Sequence, residues 1–252
     1  NYEVLSNLIK QIVEGRDLGA ILAQGARQAV EKLSPGAAKY LIWSKGLPQS
    51  DSVDLRAFPG FALGVATASR GADHLRSRPT TEAMKLTPEE LRQIYGQPVS
   101  TTPDNLTGKA LTVWHKELEY AVGDALGICR FVQNFNSEDH LTLGDCRELL
   151  CQVTEEEWRT DELWQAGERI TTLEHIWLLR EGLNSADDSL PERYLKEALP
   201  DGPKQNIGLN KSDLEHLKKE YYHLHRWYDL NSNESLKDLK KLGLNVDFIK
   251  DI

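Results

Sequence analysis

The chain has 252 residues, 40% hydrophobic and 27% charged, enough polypeptide to bury a core without disulfide or metal staples. Lys and Arg total 30 against 39 Asp and Glu, a net charge of −9, which argues against a nucleic-acid binder, since those bind phosphate through clustered basic residues. The longest nearly apolar run, Phe61 to Ala68, falls far below the roughly 18 residues of a membrane span.

In chain order the periodicity is nearly all helical. Leu5, Leu8, Ile9, Ile12 and Val13 recur at helical spacing until Gly15 stops them. Leu18, Ile21, Leu22, Ala26, Ala29, Val30 and Leu33 predict a second amphipathic helix, closed by Pro35-Gly36. From Leu47 to Pro59 the pattern fails, and Pro48, Asp51, Asp54 and Pro59 read as loop. Phe61 to Arg76 reads as a helix built of small residues, among them Ala62, Gly64, Ala66, Ala68, Gly71 and Ala72. Such a helix lets another backbone or a ligand come close, at about 1 kcal/mol of helix propensity per Gly.

Thr87-Pro88-Glu89-Glu90 is a capping box with Pro at the first helical position, and a short helix to Tyr95 follows. Leu106 to Val122 and Leu143 to Val153 predict helices. Asp161 to Arg180 predicts a long one, with Leu163, Ala166, Ile170, Leu173 and Trp177 inward. Asp187 to Ile207 reads as loop with short turns. Ser212-Asp213-Leu214-Glu215 predicts a second capping box, and Leu236, Leu239 and Leu242 a last helix stopped by Gly243. No stretch shows convincing β alternation and none repeats. The expected fold class is all-α, an irregular multi-helix assembly.

Two segments break the packing pattern. In Arg70-Gly71-Ala72-Asp73-His74-Leu75-Arg76, charge gathers at the end of a helix of small residues. Arg76 suits a helix C-terminus on dipole grounds alone. His74 is either a structural histidine or a proton donor and acceptor at a cleft, since imidazole titrates near neutral pH. In Asp124-Ala125-Leu126-Gly127-Ile128-Cys129-Arg130-Phe131, an Asp and a Gly three apart sit in a helical context that suits neither. At helical spacing Asp124, Gly127 and Ile128 share a face, and Cys129 turns about 140° away from Asp124. A carboxylate can accept two N–H donors from a flat heterocycle, a Gly permits close approach, and a thiolate can ligate a metal cluster. The plain alternative is a close helix contact with a buried free Cys.

The other candidates carry plain readings. Cys146 and Cys151 lie five apart on one predicted helix, poorly placed to share a metal, and read as free thiols of a reducing cytoplasm. His115 and His175 read as packing or surface residues, and His216, His223 and His225 as a solvated face rather than metal ligands. Glu155-Glu156-Glu157 reads as a charge run at a helix boundary, and the Trp and Tyr residues at helical spacing as core. Met84 is the single Met and the chain opens at Asn1 in a helical pattern without a signal peptide, which suggests a processed or trimmed product of something longer.

Several short stretches, in order along nearly the whole chain, resemble the tungsten-dependent aldehyde ferredoxin oxidoreductase family. Gly15-Arg16-Asp17-Leu18 with Leu22-Ala23-Gln24-Gly25 is similar to its GxGDLLAEG start, and Lys45-Gly46-Leu47-Pro48 with Asp54-Leu55-Arg56 to its KG…DPR loop. Ala66-Thr67-Ala68-Ser69-Arg70-Gly71-Ala72-Asp73-His74-Leu75 resembles ATxxRGADHL, and Asp124 to Phe131 resembles DxxGLCKF. Gly167-Glu168-Arg169-Ile170, Arg180-Glu181-Gly182 and Leu190-Pro191-Glu192-Arg193 resemble GERI…NLREG…LPER, and Tyr221-Tyr222, Trp227 and Leu242-Gly243-Leu244 the closing YYxxRGW…LGL.

The resemblance implies the C-terminal helical domains of such an enzyme, with residues 1–45 closing a middle domain and 46–252 forming the last one. It implies a tungsten (or molybdenum) atom on two pterins beside a four-iron, four-sulfur cluster. The reaction would be oxidation of a small aldehyde to a carboxylic acid with electrons passed to ferredoxin or another carrier. By resemblance His74 would be catalytic, Asp124, Gly127 and Ile128 would contact a pterin, Arg76 would lie at its edge, and Cys129 would ligate the cluster. The family's three upstream cysteines in CxxCxxxC, its first pterin motif and its N-terminal domain have no counterpart in the sequence. The chain alone is therefore expected to bind no cofactor and to be inactive. Within the matched stretches Leu178 stands where the family tends to Asn, His225-Arg226-Trp227 replaces Arg-Gly-Trp, and Asn231-Ser232-Asn233-Glu234 replaces a Gly-Pro turn. A homodimer stays open, membrane and nucleic-acid partners are not expected, and the expected location is the cytoplasm. Two alternatives remain: a stand-alone helical interaction domain without catalysis, and a family member acting on other substrates.

Overall fold

The first helix, α1 (Tyr2–Glu14), ends where Gly15 turns left-handed at φ 62° and donates back to the helix. The computed structural model describes residues 1–34, 36–49, 54–84, 86–133, 141–227 and 232–244, with Asn233 and Glu234 described by backbone alone. Pro35 of the expected helix stop, Asp51 of the expected loop and Asn231 of the closing turn lie outside the described residues. The expected second helix is two, α2 (Asp17–Leu22) and α3 (Ala26–Leu33), because Gly25 takes φ 87° between them. A side chain at Gly19 would collide with the backbone at Gln11, so α1 and α2 meet backbone to backbone. No residue of α1 is buried, and Tyr2, Val4, Leu5, Ile9 and Val13 stay exposed.

One small departure from the all-α expectation follows. Trp43–Ser44 (β1) pairs antiparallel with Leu47–Pro48 (β2). Lys45 and Gly46 between them both have positive φ, the geometry a two-residue hairpin turn needs. The sequence there is too short to alternate.

Helix α4 (Pro59–Thr67) is buried along all nine residues. It ends at Thr67, not at Arg76 as the small-residue run suggested: Ala68 is extended and Gly71 left-handed at φ 88°. The close approach that the small residues allow is made by the chain itself. A side chain at Gly64 would lie 2.8 Å from the carbonyl oxygen of Ser77. The segment leaving that contact carries Glu82, whose carboxylate accepts from the N–H groups of Gly60 (3.1 Å) and Phe61 (3.3 Å) at the start of α4. This supplies what a buried helix start lacks, acceptors for its first donors and a negative charge at its positive pole. The same carboxylate lies 2.8 Å from Lys109 Nζ, which also donates to Ser100 O at 2.7 Å. Lys109 is fully buried, and burial pushes its ammonium below the usual range against the pull of Glu82.

The remaining helices are α5 (Pro88–Tyr95), α6 (Lys109–Ala125), α7 (Leu143–Thr154), α8 (Thr160–Arg180), α9 (Glu192–Lys196), α10 (Lys211–Leu224) and α11 (Asn233–Lys241). The Thr87 capping box stands as read. The second box is shifted: Asn210, not Ser212, caps α10 and is answered by Asp213. α9 interrupts the expected 187–207 loop. α6 is the central helix, with α4, α8 and α10 packed around it. Its crossing with α8 is tight, since a side chain at Gly167 would lie 2.8 Å from Leu118 O. For that reason the buried side of α8 is Leu163, Gly167, Thr171, Thr172 and Ile176, while Leu173 and Trp177, expected inward, are exposed.

The main core gathers Leu55, Phe61, Leu63, Val113, Leu214, Leu217, Tyr221 and Trp227 from α4, α6, α10 and the segments beside them. A polar array crosses it. Glu117 accepts from Tyr221 Oη at 2.6 Å and lies 3.0 Å from His225 Nε2. Trp227 stacks between His225 and His175, with ring centroids 3.9 and 4.0 Å away. His225 is thus a core residue and not part of a solvated face with His216 and His223; the left-handed Arg226 turns the chain inward here. Burial, reinforced by His225 and Lys45, pushes His175 down to about 3, and burial holds His115 at about 4. Among the described residues no helix is long and apolar enough to cross a membrane.

Two outcomes are expected. Breaking a buried pair leaves an uncompensated charge and costs about 3–5 kcal/mol. Glu82→Gln should therefore lower unfolding free energy in urea by that order, while Glu197→Gln, which removes an exposed pair with Arg193, should stay within about 0.5 kcal/mol. A histidine held neutral in the fold binds its proton only on unfolding, so its contribution is complete above pH 6.5 and is lost as pH falls toward 3. For each such group the loss approaches 1.4 kcal/mol per pH unit. Melting measured from pH 7 to 4.5 should show His175→Phe losing less stability on acidification than the parent; equal slopes would contradict the assignment.

Candidate functional site

The two segments singled out in the sequence are brought together at one end of the α4–α6–α8 packing. α6 ends at Ala125, so the Asp124–Cys129 stretch is a helix end and a turn rather than one continuous face. Gly127 takes φ 72°, and its N–H bonds Asp124 O at 3.1 Å while that of Ile128 reaches Gly123 O at 2.8 Å. This is a Schellman closure, and its usual apolar contact is present: Ile128 packs in the cluster of Val122, Leu143, Cys146 and Leu163. The side chain of Ile128 is therefore turned into the core, away from Asp124. A side chain at Gly127 would meet nothing within 4 Å, so the outer side of the turn is open. Cys129 is exposed on it, and its carbonyl accepts from Val132 N (3.0 Å) and Gln133 N (3.3 Å).

Two residues to which the sequence reading gave no role hold this turn. Gln133 is buried and donates from Nε2 to Glu119 O at 2.7 Å. Its side-chain amide lies where a side chain at position 123 would be, so Gly123 is required by its neighbour. Arg130 is the second. It lies 2.6 Å from Asp124 Oδ2 and donates to Tyr120 O at 2.9 Å, Gln133 Oε1 at 2.9 Å and Leu75 O at 3.1 Å. Its guanidinium also covers the Tyr120 ring at 4.1 Å. A Gly followed by a second Gly four residues later was the available sequence signal for the first; nothing local announces the second.

The facing segment is the loop after α4. Arg76 pairs with Glu174 of α8, its Nη1 lies 3.3 Å from Asp124 Oδ2, and its Nε donates to Ser69 Oγ at 3.1 Å. Ser69 Oγ in turn donates to Glu174 Oε2 at 2.9 Å. Arg76 lies in this loop and not at a helix C-terminus, and its charge is met by two carboxylates. Both arginines approach the same oxygen, Oδ2, of Asp124, whose side chain is half-exposed. His74 lies edge-on to Phe61, centroids 6.3 Å apart. Burial, and next the charge of Arg78, lower its pKa against the opposing pull of Asp73, so the imidazole is neutral at neutral pH. Leu75 is the bridge: its N–H bonds Asp73 Oδ1 at 2.7 Å and its carbonyl accepts from Arg130.

The arrangement offers a carboxylate oxygen, an open glycine turn, an exposed thiol and a neutral imidazole on adjoining segments. It suits the edge of a large flat ligand with N–H donors and a metal cluster that takes one thiolate from this side. Among the described residues no group of three or more His, Cys, Asp or Glu is placed to hold a metal ion. Cys146 is buried, and the sulfur of Cys151 accepts from Trp158 N at 3.3 Å. A cavity of about 540 Å³ lies elsewhere, between residues 97–111 and the exposed side of α10.

Residues 1–244 match the family model described as aldehyde ferredoxin oxidoreductase, domains 2 and 3. Tungsten-containing aldehyde ferredoxin oxidoreductases are similar along the chain. That of Thermococcus kodakarensis is 30% identical over 90% of this chain and 34% of its own length, and that of Pyrococcus horikoshii 30% identical over 97% and 37%. The chain thus spans about a third of the length of these relatives. Among solved structures, the active site complex BamBC of benzoyl coenzyme A reductase, in complex with 1,5-dienoyl-CoA, shares the fold with a TM-score of 0.69 over 97% of this chain and 39% of that one, at 21% identity.

Gly→Ala inside a helix ordinarily stabilises by about 1 kcal/mol. At Gly123 the sign should reverse, because the Gln133 amide must be expelled; overpacking costs about 1–3 kcal/mol, a fall in melting temperature of roughly 2–10 °C for a chain of this size. Differential scanning calorimetry of Gly123→Ala checks this, and a rise in melting temperature would contradict it.

Proposed function

Since the chain belongs to the aldehyde ferredoxin oxidoreductase family, whose domains 2 and 3 it matches, we propose that it is the C-terminal part of a tungstopterin and iron–sulfur oxidoreductase. The reaction converts an aldehyde and water to a carboxylic acid, two electrons and two protons, with ferredoxin or another carrier taking the electrons. The observation that carries this reading is the turn after α6: a half-exposed Asp124 carboxylate, an unobstructed Gly127 and an exposed Cys129 within six residues, tied to the loop that bears His74.

Cys129 supplies one thiolate to a four-iron cluster, which ordinarily takes four. Asp124 accepts an N–H of a pterin edge through Oδ1, and Gly127 lets that edge approach the backbone. Ile128 contributes through its backbone, since its side chain is spent in the core. The metal–pterin group supplies the two-electron redox chemistry when bound. His74, neutral because burial and Arg78 disfavour its charged form, accepts a proton at its imidazole nitrogen as water adds to the carbonyl carbon. Arg76 is held by Glu174 and Asp124 and orients the latter. The same proposal divides the chain near residue 45 and draws the missing thiolates from polypeptide beyond this sequence. On that count the 252-residue chain alone binds no cluster and oxidises no aldehyde.

Metal analysis tests the reading. The chain by itself should purify colourless with iron far below stoichiometry. Joined to upstream polypeptide bearing CxxCxxxC, it should hold about four iron atoms with a brown absorption band, and Cys129→Ser should lose most of that iron. Full iron in the isolated chain, or iron unaffected by Cys129→Ser, would overturn it.

A further inference from the structure

We propose that Arg130 is the positioning residue of this site, an inference that rests on the cofactor reading above. Its guanidinium joins three pieces of chain that each carry a candidate residue. Nε reaches Leu75 O, next to His74. Nη2 reaches Asp124 Oδ2 and Tyr120 O at the end of α6. Nη1 reaches Gln133 Oε1, and Gln133 closes the turn that starts at the carbonyl of Cys129. Four acceptors lie around one planar fork, an arrangement a lysine ammonium cannot span from a single point. The side chain is only 10% exposed while that of Asp124 is 48% exposed, so the clamp is the buried partner and the carboxylate the one presented outward.

The pairing also decides which oxygen of Asp124 is offered. Arg130 and Arg76 both take Oδ2, and Arg76, also bound by Glu174, is the more distant at 3.3 Å. Arg130 therefore holds the carboxylate in one orientation with Oδ1 as the acceptor for an incoming N–H. It also holds Cys129 at a set offset from that oxygen, because Gln133 and Asp124 are bonded by the same group. A cofactor edge and a cluster that must be met together need this offset more than they need the charge. Arg130→Lys keeps the charge and loses the fork, and Arg130→Met loses both.

The test uses the whole cofactor-loaded protein, with iron and pterin contents measured and the reduced cluster examined by electron paramagnetic resonance. Hydrogen exchange at Gly127 and Ile128 is measured on the same samples. For Arg130→Met, iron should remain near the parent value because Cys129 is intact. The pterin-to-iron ratio should fall at least threefold, the cluster signal should change shape, and the two amides should exchange at least tenfold faster. Arg130→Lys, which keeps the charge and loses the fork, should fall between the two and serves if the Met variant does not fold. Variants that lower melting temperature yet keep the parent pterin ratio and cluster signal would overturn the assignment, leaving Arg130 a structural residue. A parent protein without iron or pterin would overturn the cofactor reading and this assignment with it.

Discussion

A single buried carboxylate holds the architecture together. Glu82 satisfies the first donors of α4 and the ammonium of Lys109 at the start of α6. α4 has no polar side to give to water, and α6 is wrapped by α4, α8 and α10. The start of α4 is buried, so its first donors depend on a partner supplied by the chain, and the group that serves them also pairs with the buried ammonium of Lys109. With the starts of α4 and α6 fixed to each other, the rigid helices set where their far ends fall. Those ends carry the loop of His74 and the turn of Cys129.

At the far end a second electrostatic centre answers the first. Asp124 sits between Arg76 and Arg130, and Glu174 on α8 takes the other side of Arg76. The inner side of α8, one residue further along, sets neutral His175 against Trp227 and the Glu117–Tyr221–His225 array. α8 therefore faces charge on one side and a neutral stacked ring on the next. This half-exposed charge cluster is weak as a source of stability and well placed to orient groups toward a ligand. Stability comes from the core behind it, and the site can spend its ion pairs on geometry.

Much of the helical skeleton is legible in the sequence because its signals are local. Gly15 ends α1, Thr87 and Glu90 cap α5 reciprocally, and Gly182 and Gly243 follow α8 and α11. The two unusual segments are legible as well, since Asp and Gly near a helix end and charge after a small-residue run conflict with packing. What fails is whatever a distant residue decides. Small residues from Ala68 to Ala72 look helical until Gly71 must fit against the β1–β2 turn, with Ser44 O 3.0 Å from where a side chain would begin. The buried side of α8 is chosen by the close approach of Leu118 to Gly167, so apolar Leu173 and Trp177 lose to Thr171 and Thr172. His225 looks like a surface neighbour of His223 until Arg226 turns the chain inward. Arg130 and Gln133 act across 55 and 14 positions, and no spacing rule reaches that far.

We propose that one turn, Asp124 to Cys129, presents an acceptor and a thiolate to a cofactor assembly that other polypeptide completes. Anomalous diffraction at the iron edge from crystals of the whole protein tests it most directly. The expected result is an iron cluster bonded to Cys129 Sγ, with a heterocycle edge at Asp124 Oδ1. A cluster bound without Cys129, with its thiol free on the turn, would contradict the account.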